Sequence, residues 1–356
     1  MRKFASMIRF DSDYLEGAHP SILQRLLDTN LEQTPGYGED PHCAHAASMI
    51  RSLCGLPDAP VHFLTGGTQT NVTVISALLR PYEGVVCAAS GHINVHETGA
   101  VEHSGHKALA LPPKDGKISA AQVGSLLEAH RDDPNREHCV KPGMVYISFP
   151  SELGTIYSLH ELEDLHAVCT RWGVPLFIDG ARLGYGLAAA DCDLGIMDLA
   201  RLADVFYIGG TKQGALFGEA VVFRNKALAE DFRYHIKQNG GMLAKGRLLG
   251  IQFEALLEDG LYFDLSARAD ALADRIRAAF KAAGAAFLVE NRTNQVFPVI
   301  PDKAVEVLAA KFGFEAWEKP DETHTAVRFC TSWATTEAQV EELEALLAGP
   351  AHEIFK

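Results

Sequence analysis

The chain has 356 residues, 47% hydrophobic and 22% charged, a composition that suits a globular protein of about two domains. Thirty-two basic residues against 46 acidic ones leave a net charge of −14, which argues against nucleic acid as a partner because phosphate backbones demand a basic surface. No apolar run reaches the ~18 residues of a membrane span, the opening MRKFASMIRFDSD lacks the apolar core of a secretory signal, and the seven scattered cysteines form no C-x-x-C pair. A cytoplasmic protein without membrane contact or a disulfide framework is therefore expected.

In chain order, the candidate strands are VHFLT (61–65), GVVCAA (84–89), KALALP (107–112), MVYISF (144–149), VPLFID (174–179), DVFYIG (204–209) and AVVFR (220–224). Most are continuous apolar runs, the signature of strands covered on both faces. Helical patterns separate them, such as LHELEDLHAVCTRW, which gathers Leu159, Leu162, Leu165, Cys169 and Trp172 on one face. Strands alternating with helices predict an α/β fold with a mostly parallel seven-stranded sheet. The last hundred residues read as a smaller α/β unit, with LSARADALADRIRAAFKAAG and TTEAQVEELEALLAG as helices and VFPVIP and TAVRFCTSW as strands. The expected division is 1–250 and 251–356, inside a long helix starting near Gly246.

In an open α/β sheet, ligands gather beyond the carboxyl ends of the strands, and four stretches there carry polar residues. After the first strand, Gly66, Gly67 and Thr68 open a helix, as in a phosphate cradle, although a plain capped turn has the same letters. GHINVHETGAVEHSGH brings four histidines but neither an H-E-x-x-H order nor a nearby Cys pair, so no metal is expected. His92, first after its strand, is the candidate to stack on a flat ring; His96, His103 and His106 read as solvated or structural. Asp179 closes a buried strand, with Arg182 three residues on; a structural ion pair is the plainer alternative. GYGLAA (184–189) matches a dinucleotide fingerprint but stands off its strand, and underlies a nucleotide-binding oxidoreductase as a reading from another class.

The fourth stretch, GGTKQG, puts Lys212 between two apolar strands. A lysine there either snorkels to the surface or sits in a dry pocket, where its depressed pKa makes it a usable amine for a Schiff base. A phosphate cradle, a carboxylate for a ring nitrogen, an amine and a stacking histidine together suit pyridoxal 5'-phosphate.

These motifs resemble the low-specificity threonine aldolase and β-eliminating lyase family of fold-type I pyridoxal-phosphate enzymes. The stretches that carry the resemblance are RFDSDYLEGAHP, GYGEDPH, HFLTGGTQTN, GHINVHETGA, FIDGARLGYGL, GGTKQGALFGEAVVF and VRFCTSW, in family order over nearly the whole chain. The resemblance implies Gly66, Gly67 and Thr68 on the phosphate, His92 on the ring, Asp179 on its nitrogen and Lys212 as the Schiff-base residue. It further implies Arg182 and Arg328 around the substrate carboxylate, Ser12 and Tyr37 in the pocket, and Lys245 reaching a neighbouring subunit's phosphate in a homodimer or homotetramer. Where typical members carry a loop histidine this chain reads PSELGTIYS, offering Glu152 instead. The implied reaction is retro-aldol cleavage of threonine, allo-threonine or a phenylserine-like amino acid to glycine and an aldehyde, with Lys212, His92 and Glu152 as catalytic candidates. β-Elimination or transamination on the same cofactor is the alternative.

Overall fold

Each of the seven apolar runs becomes a strand of one sheet in the computed structural model, which describes residues 7–349. After a two-residue strand β1 (Ile8–Arg9) come β2 (Val61–Leu64), β3 (Glu83–Ala88), β4 (Ala108–Leu111), β5 (Lys141–Ser148), β6 (Leu176–Asp179), β7 (Val205–Gly209) and β8 (Glu219–Phe223). Their order across the sheet is β2-β8-β7-β6-β5-β3-β4. Only β8 runs against its neighbours, so β2, β3, β5, β6 and β7 all end on the same edge. Strands β3, β6, β7 and β8 are buried at every position, which is why they read as unbroken apolar runs. Helices cover both faces and create two cores, one on each side. The helix Leu159–Trp172 turns Leu162, Leu165 and Cys169 inward, begins on a Ser158–Glu161 capping box and ends at Gly173 in the left-handed conformation.

The smaller unit has its own core and a sheet made of β9 (Ala286–Phe287), β10 (Gln295–Val296), β11 (Pro298–Pro301), β13 (Glu315–Glu318) and β14 (His324–Cys330), with β12 (Phe312–Gly313) pairing apart from it. The partner of β12 is β1, and Phe10 packs against Phe312 and Phe329 in that core. The amino-terminal strand thus crosses to the carboxyl-terminal unit. The long helix expected from Gly246 is two helices, Arg247–Leu257 and Leu261–Ala283. Asp259 and Gly260 break it, both in the left-handed region, which helical periodicity cannot reveal. Among the described residues no helix is long and apolar enough to cross a membrane.

Candidate active site

The shared strand edge holds a cavity of about 310 Å³ lined by Gly66, Gly67, Thr68, His92, Glu152, Asp179, Arg182 and Lys212, together with Tyr207, Thr211 and Glu219. Residues from Gly66 to Glu219 meet there because they lie at or just past the carboxyl ends of strands on that edge, or, for Glu219, at the start of the antiparallel β8. Gly66 is an extended N-cap without a side-chain cap, so the first N–H groups of the helix Gly67–Leu78 stay open to an anion. Gln69 folds back to accept from the Thr65 N–H at 3.1 Å and hydroxyl at 2.6 Å, which fixes this turn.

Asp179 is 5% exposed and receives four donors. The hydroxyls of Tyr146 and Tyr207 stand at 2.6 and 2.5 Å, Asn71 Nδ2 at 2.9 Å and the Ala181 N–H at 3.0 Å. Burial by itself would push this carboxyl up; the neighbouring His92, the two tyrosine hydroxyls and the Ala181 N–H outweigh it and hold it below the ordinary carboxylate range. It is therefore an ionised group in a dry place, suited to a protonated ring nitrogen. Gly180 is needed beside it: a Cβ there would lie 1.9 Å from the Tyr207 carbonyl oxygen, so a larger residue would pry the loop off β7.

His92 is oriented from behind. Its Nδ1 lies 2.8 Å from Glu97 Oε1, and Glu97 has a side chain with no exposure at all. A carboxylate only accepts, so the proton sits on Nδ1 and Nε2 is left for other partners. Asn71 Nδ2 also donates to Glu97, at 2.7 Å, and so clamps the acid behind His92 to the acid at the end of β6. Glu152 Oε1 accepts from Ser148 Oγ at 2.6 Å and from the His92 N–H at 2.8 Å. Burial drives the Glu152 carboxyl above its ordinary value against those two bonds, and nearby Asp179 adds to the rise.

Lys212 makes no ion pair or hydrogen bond through Nζ among the described residues. Burial lowers its pKa, and the adjacent Arg182 charge lowers it further. Glu219 shares the cavity, held by Thr211 Oγ1 at 2.9 Å and the Gly210 N–H at 3.2 Å, and burial pushes its carboxyl up to about 8. Arg182 is committed: Nε and Nη2 donate to Asp13 at 2.6 and 3.0 Å, and the Asp13 side chain is completely buried. Burial opposes the Asp13 charge, but Arg182 and Lys212 prevail and bring it down to about 2.

The remaining predicted residues lie elsewhere. Arg328, on β14, is outside the cavity lining; its Nη2 donates at 3.2 Å to the carbonyl of Asp11, two residues from the Asp13 that holds Arg182, and it is paired with Glu315. Ser12 sits between the Asp11 and Asp13 anchors of the two arginines, its buried Oγ without a partner. Tyr37 and Lys245 are not in the cavity lining; their loops lie against each other, with the Tyr37 N–H 3.4 Å from the Ala244 carbonyl. The GYGLAA glycines are packing contacts: a Cβ at Gly184 would meet Ser266 and Tyr262, and one at Gly186 would meet Phe149. That removes the geometric basis for a dinucleotide turn there. Sequence reasoning missed Asp13, Asn71, Glu97, Tyr146, Tyr207 and Glu219. Only Glu97, five residues after His92, offered a local signal.

An open helix N-terminus, an ionised carboxylate, an imidazole and an unpaired amine suit a flat heteroaromatic ring that carries a phosphate and an aldehyde. The comparisons agree with that donor set. A family model described as beta-eliminating lyase matches residues 10–303. A low specificity L-threonine aldolase of Pseudomonas sp. (strain NCIMB 10558) is 32% identical over 345 residues, covering 95% of this chain and 96% of that one. A solved structure of Leishmania major threonine aldolase superposes with a TM-score of 0.94 at 43% identity, over 97% of this chain and 99% of that one. The aspartate aminotransferase of Rhizobium meliloti, at 14% identity and a TM-score of 0.71 over 98% of this chain and 92% of its own, shares the fold alone.

Proposed function

The chain belongs to the beta-eliminating lyase family, and we propose that it cleaves threonine or a related β-hydroxy-α-amino acid to glycine and an aldehyde with pyridoxal 5'-phosphate as cofactor. The observation that carries this is Lys212, an amine with no ion pair or hydrogen bond among the described residues, in the same cavity as ionised Asp179 and an uncapped helix N-terminus. The fit is residue by residue. The N–H groups opened by Gly66, Gly67 and Thr68 would hold the phosphate, Asp179 the ring nitrogen, His92 the ring face and Lys212 the aldehyde carbon. When bound, the cofactor supplies an electron sink for the carbanion that carbon–carbon cleavage leaves on the glycine fragment.

The chain's own groups do the rest. Glu152 takes the proton of the β-hydroxyl at Oε2, since Ser148 and the His92 N–H fix Oε1 and burial poises the carboxyl as a base. Lys212, whose pKa burial and the Arg182 charge bring down, is the amine that would hold the cofactor aldehyde and hand protons on and off beside it. Arg328 holds the substrate carboxylate, and Ser12, next in sequence to the Asp11 whose carbonyl Arg328 contacts, is a further pocket residue. Tyr37, 46% exposed, and Lys245 lie outside the lining of their own cavity, which fits a dimer or tetramer in which they serve a neighbouring subunit. A cytoplasmic location belongs to the same proposal.

The test is product identity. With added cofactor, L-threonine and L-allo-threonine should yield glycine and acetaldehyde in equal amounts, and Lys212→Ala should yield neither. A 2-keto acid with ammonia would instead establish β-elimination.

A further inference from the structure

We infer that Glu315 is an internal carboxylate that occupies Arg328 until the substrate carboxylate displaces it, making Glu315 a positioning residue that sets specificity for substrates bearing an α-carboxylate. This rests on Arg328 being the carboxylate holder in the proposed reaction.

The two arginines near the cavity differ in how they are held. Arg182 is gripped through two nitrogens by Asp13, whose side chain is fully buried. Arg328 is paired with Glu315 from the facing position on β13, and the Glu315 side chain is 46% exposed. The closest approach of Glu315 is to Nη2. Nη1 is 3.3 Å from Gln295 Oε1, and Nε is buried with no acceptor. Trp317 stacks on the guanidinium at 5.3 Å and Nη2 also reaches the Asp11 carbonyl, so the group keeps its plane and position without Glu315. A carboxylate admitted in place of Glu315 can pair with Nε and Nη2 together, the two-pronged geometry that guanidinium favours over a single contact. A half-exposed ion pair adds little stability, so the exchange is easy; the buried Asp13 pair cannot exchange in the same way. An amine lacking a carboxylate gains nothing from entering, because it leaves Glu315 where it is.

The experiment titrates the cofactor-loaded protein with glycine and with methylamine, following the near-visible band, in the wild type, Glu315→Gln and Arg328→Gln. Removing the internal competitor should tighten glycine by about two- to fivefold, the scale of one exposed ion pair, while methylamine binding stays put. In turnover the same change should appear on KM far more than on kcat. Glycine binding that is unchanged or weaker in Glu315→Gln overturns the inference, as does an equal tightening of methylamine. If Arg328→Gln binds glycine like the wild type, the assignment of Arg328 itself falls. If no cofactor band forms in any of the three, the failure lies with the proposed function.

Discussion

The floor of the cavity and the rim that the proposed reaction places at Arg328 are built to opposite rules. On the floor three groups meet buried, multiply bonded partners: Asp179 in its cage of four donors, Arg182 on Asp13, His92 on Glu97. At the rim Arg328 meets a partner that is nearly half in water. The floor must hold one geometry through every turnover, and buried charge pairs do so because breaking one strands a charge in a dry place. The rim must let a carboxylate in and out, and a weak, solvent-facing pair permits that.

The most damaging change on the floor should be Glu152→Gln, which removes the proposed base and should cost roughly 10²–10⁴-fold in kcat. Because burial raises this carboxyl, wild-type kcat/KM should fall as pH drops through a value above the ordinary ~4.3 of a glutamate, and the variant should lose that acid limb. A pH–rate profile checks both.

Asp13→Ala against Glu315→Ala sets floor directly against rim. Denaturant unfolding at neutral pH should show a loss of about 3–5 kcal/mol for the first and no more than about 1 kcal/mol for the second. The Asp13 pKa is depressed to about 2, so its contribution is complete above the unfolded value near 4 and disappears as pH falls through about 2. The stability difference between wild type and Asp13→Ala should shrink over that window. Equal losses for the two variants at neutral pH would dissolve the distinction between floor and rim.

Glu97→Gln is expected to be milder. It keeps a hydrogen-bond partner for His92 but takes away the charge that fixes its tautomer, which at the strength of a charged hydrogen bond means roughly a ten- to hundredfold loss in kcat.

The contrast also explains what could be read from the sequence. The strands were legible because both faces are buried, so their apolar runs have no gaps. Lys212, Asp179 and His92 were legible because a polar residue just past such a run stands out. Asp13 and Asn71 were not: Asn71 meets Asp179 across 108 residues and Asp13 meets Arg182 across 169. Tyr146 and Tyr207 looked like ordinary strand aromatics, and only the fold turns their hydroxyls on the carboxylate. Glu315 lies on a short strand of mixed exposure with no pattern to mark it. The crossing of Ile8–Phe10 into the carboxyl-terminal unit likewise depends on a pairing more than 300 residues away.

The most direct test of the account is the near-visible absorption spectrum of the purified protein with pyridoxal phosphate, before and after borohydride, beside Lys212→Ala. The account predicts a yellow band in the wild type that borohydride abolishes while fixing the cofactor on the peptide carrying Lys212, and no such attachment in the variant. A wild type that shows no band with added cofactor, or a reduced cofactor attached to a different lysine, would contradict it.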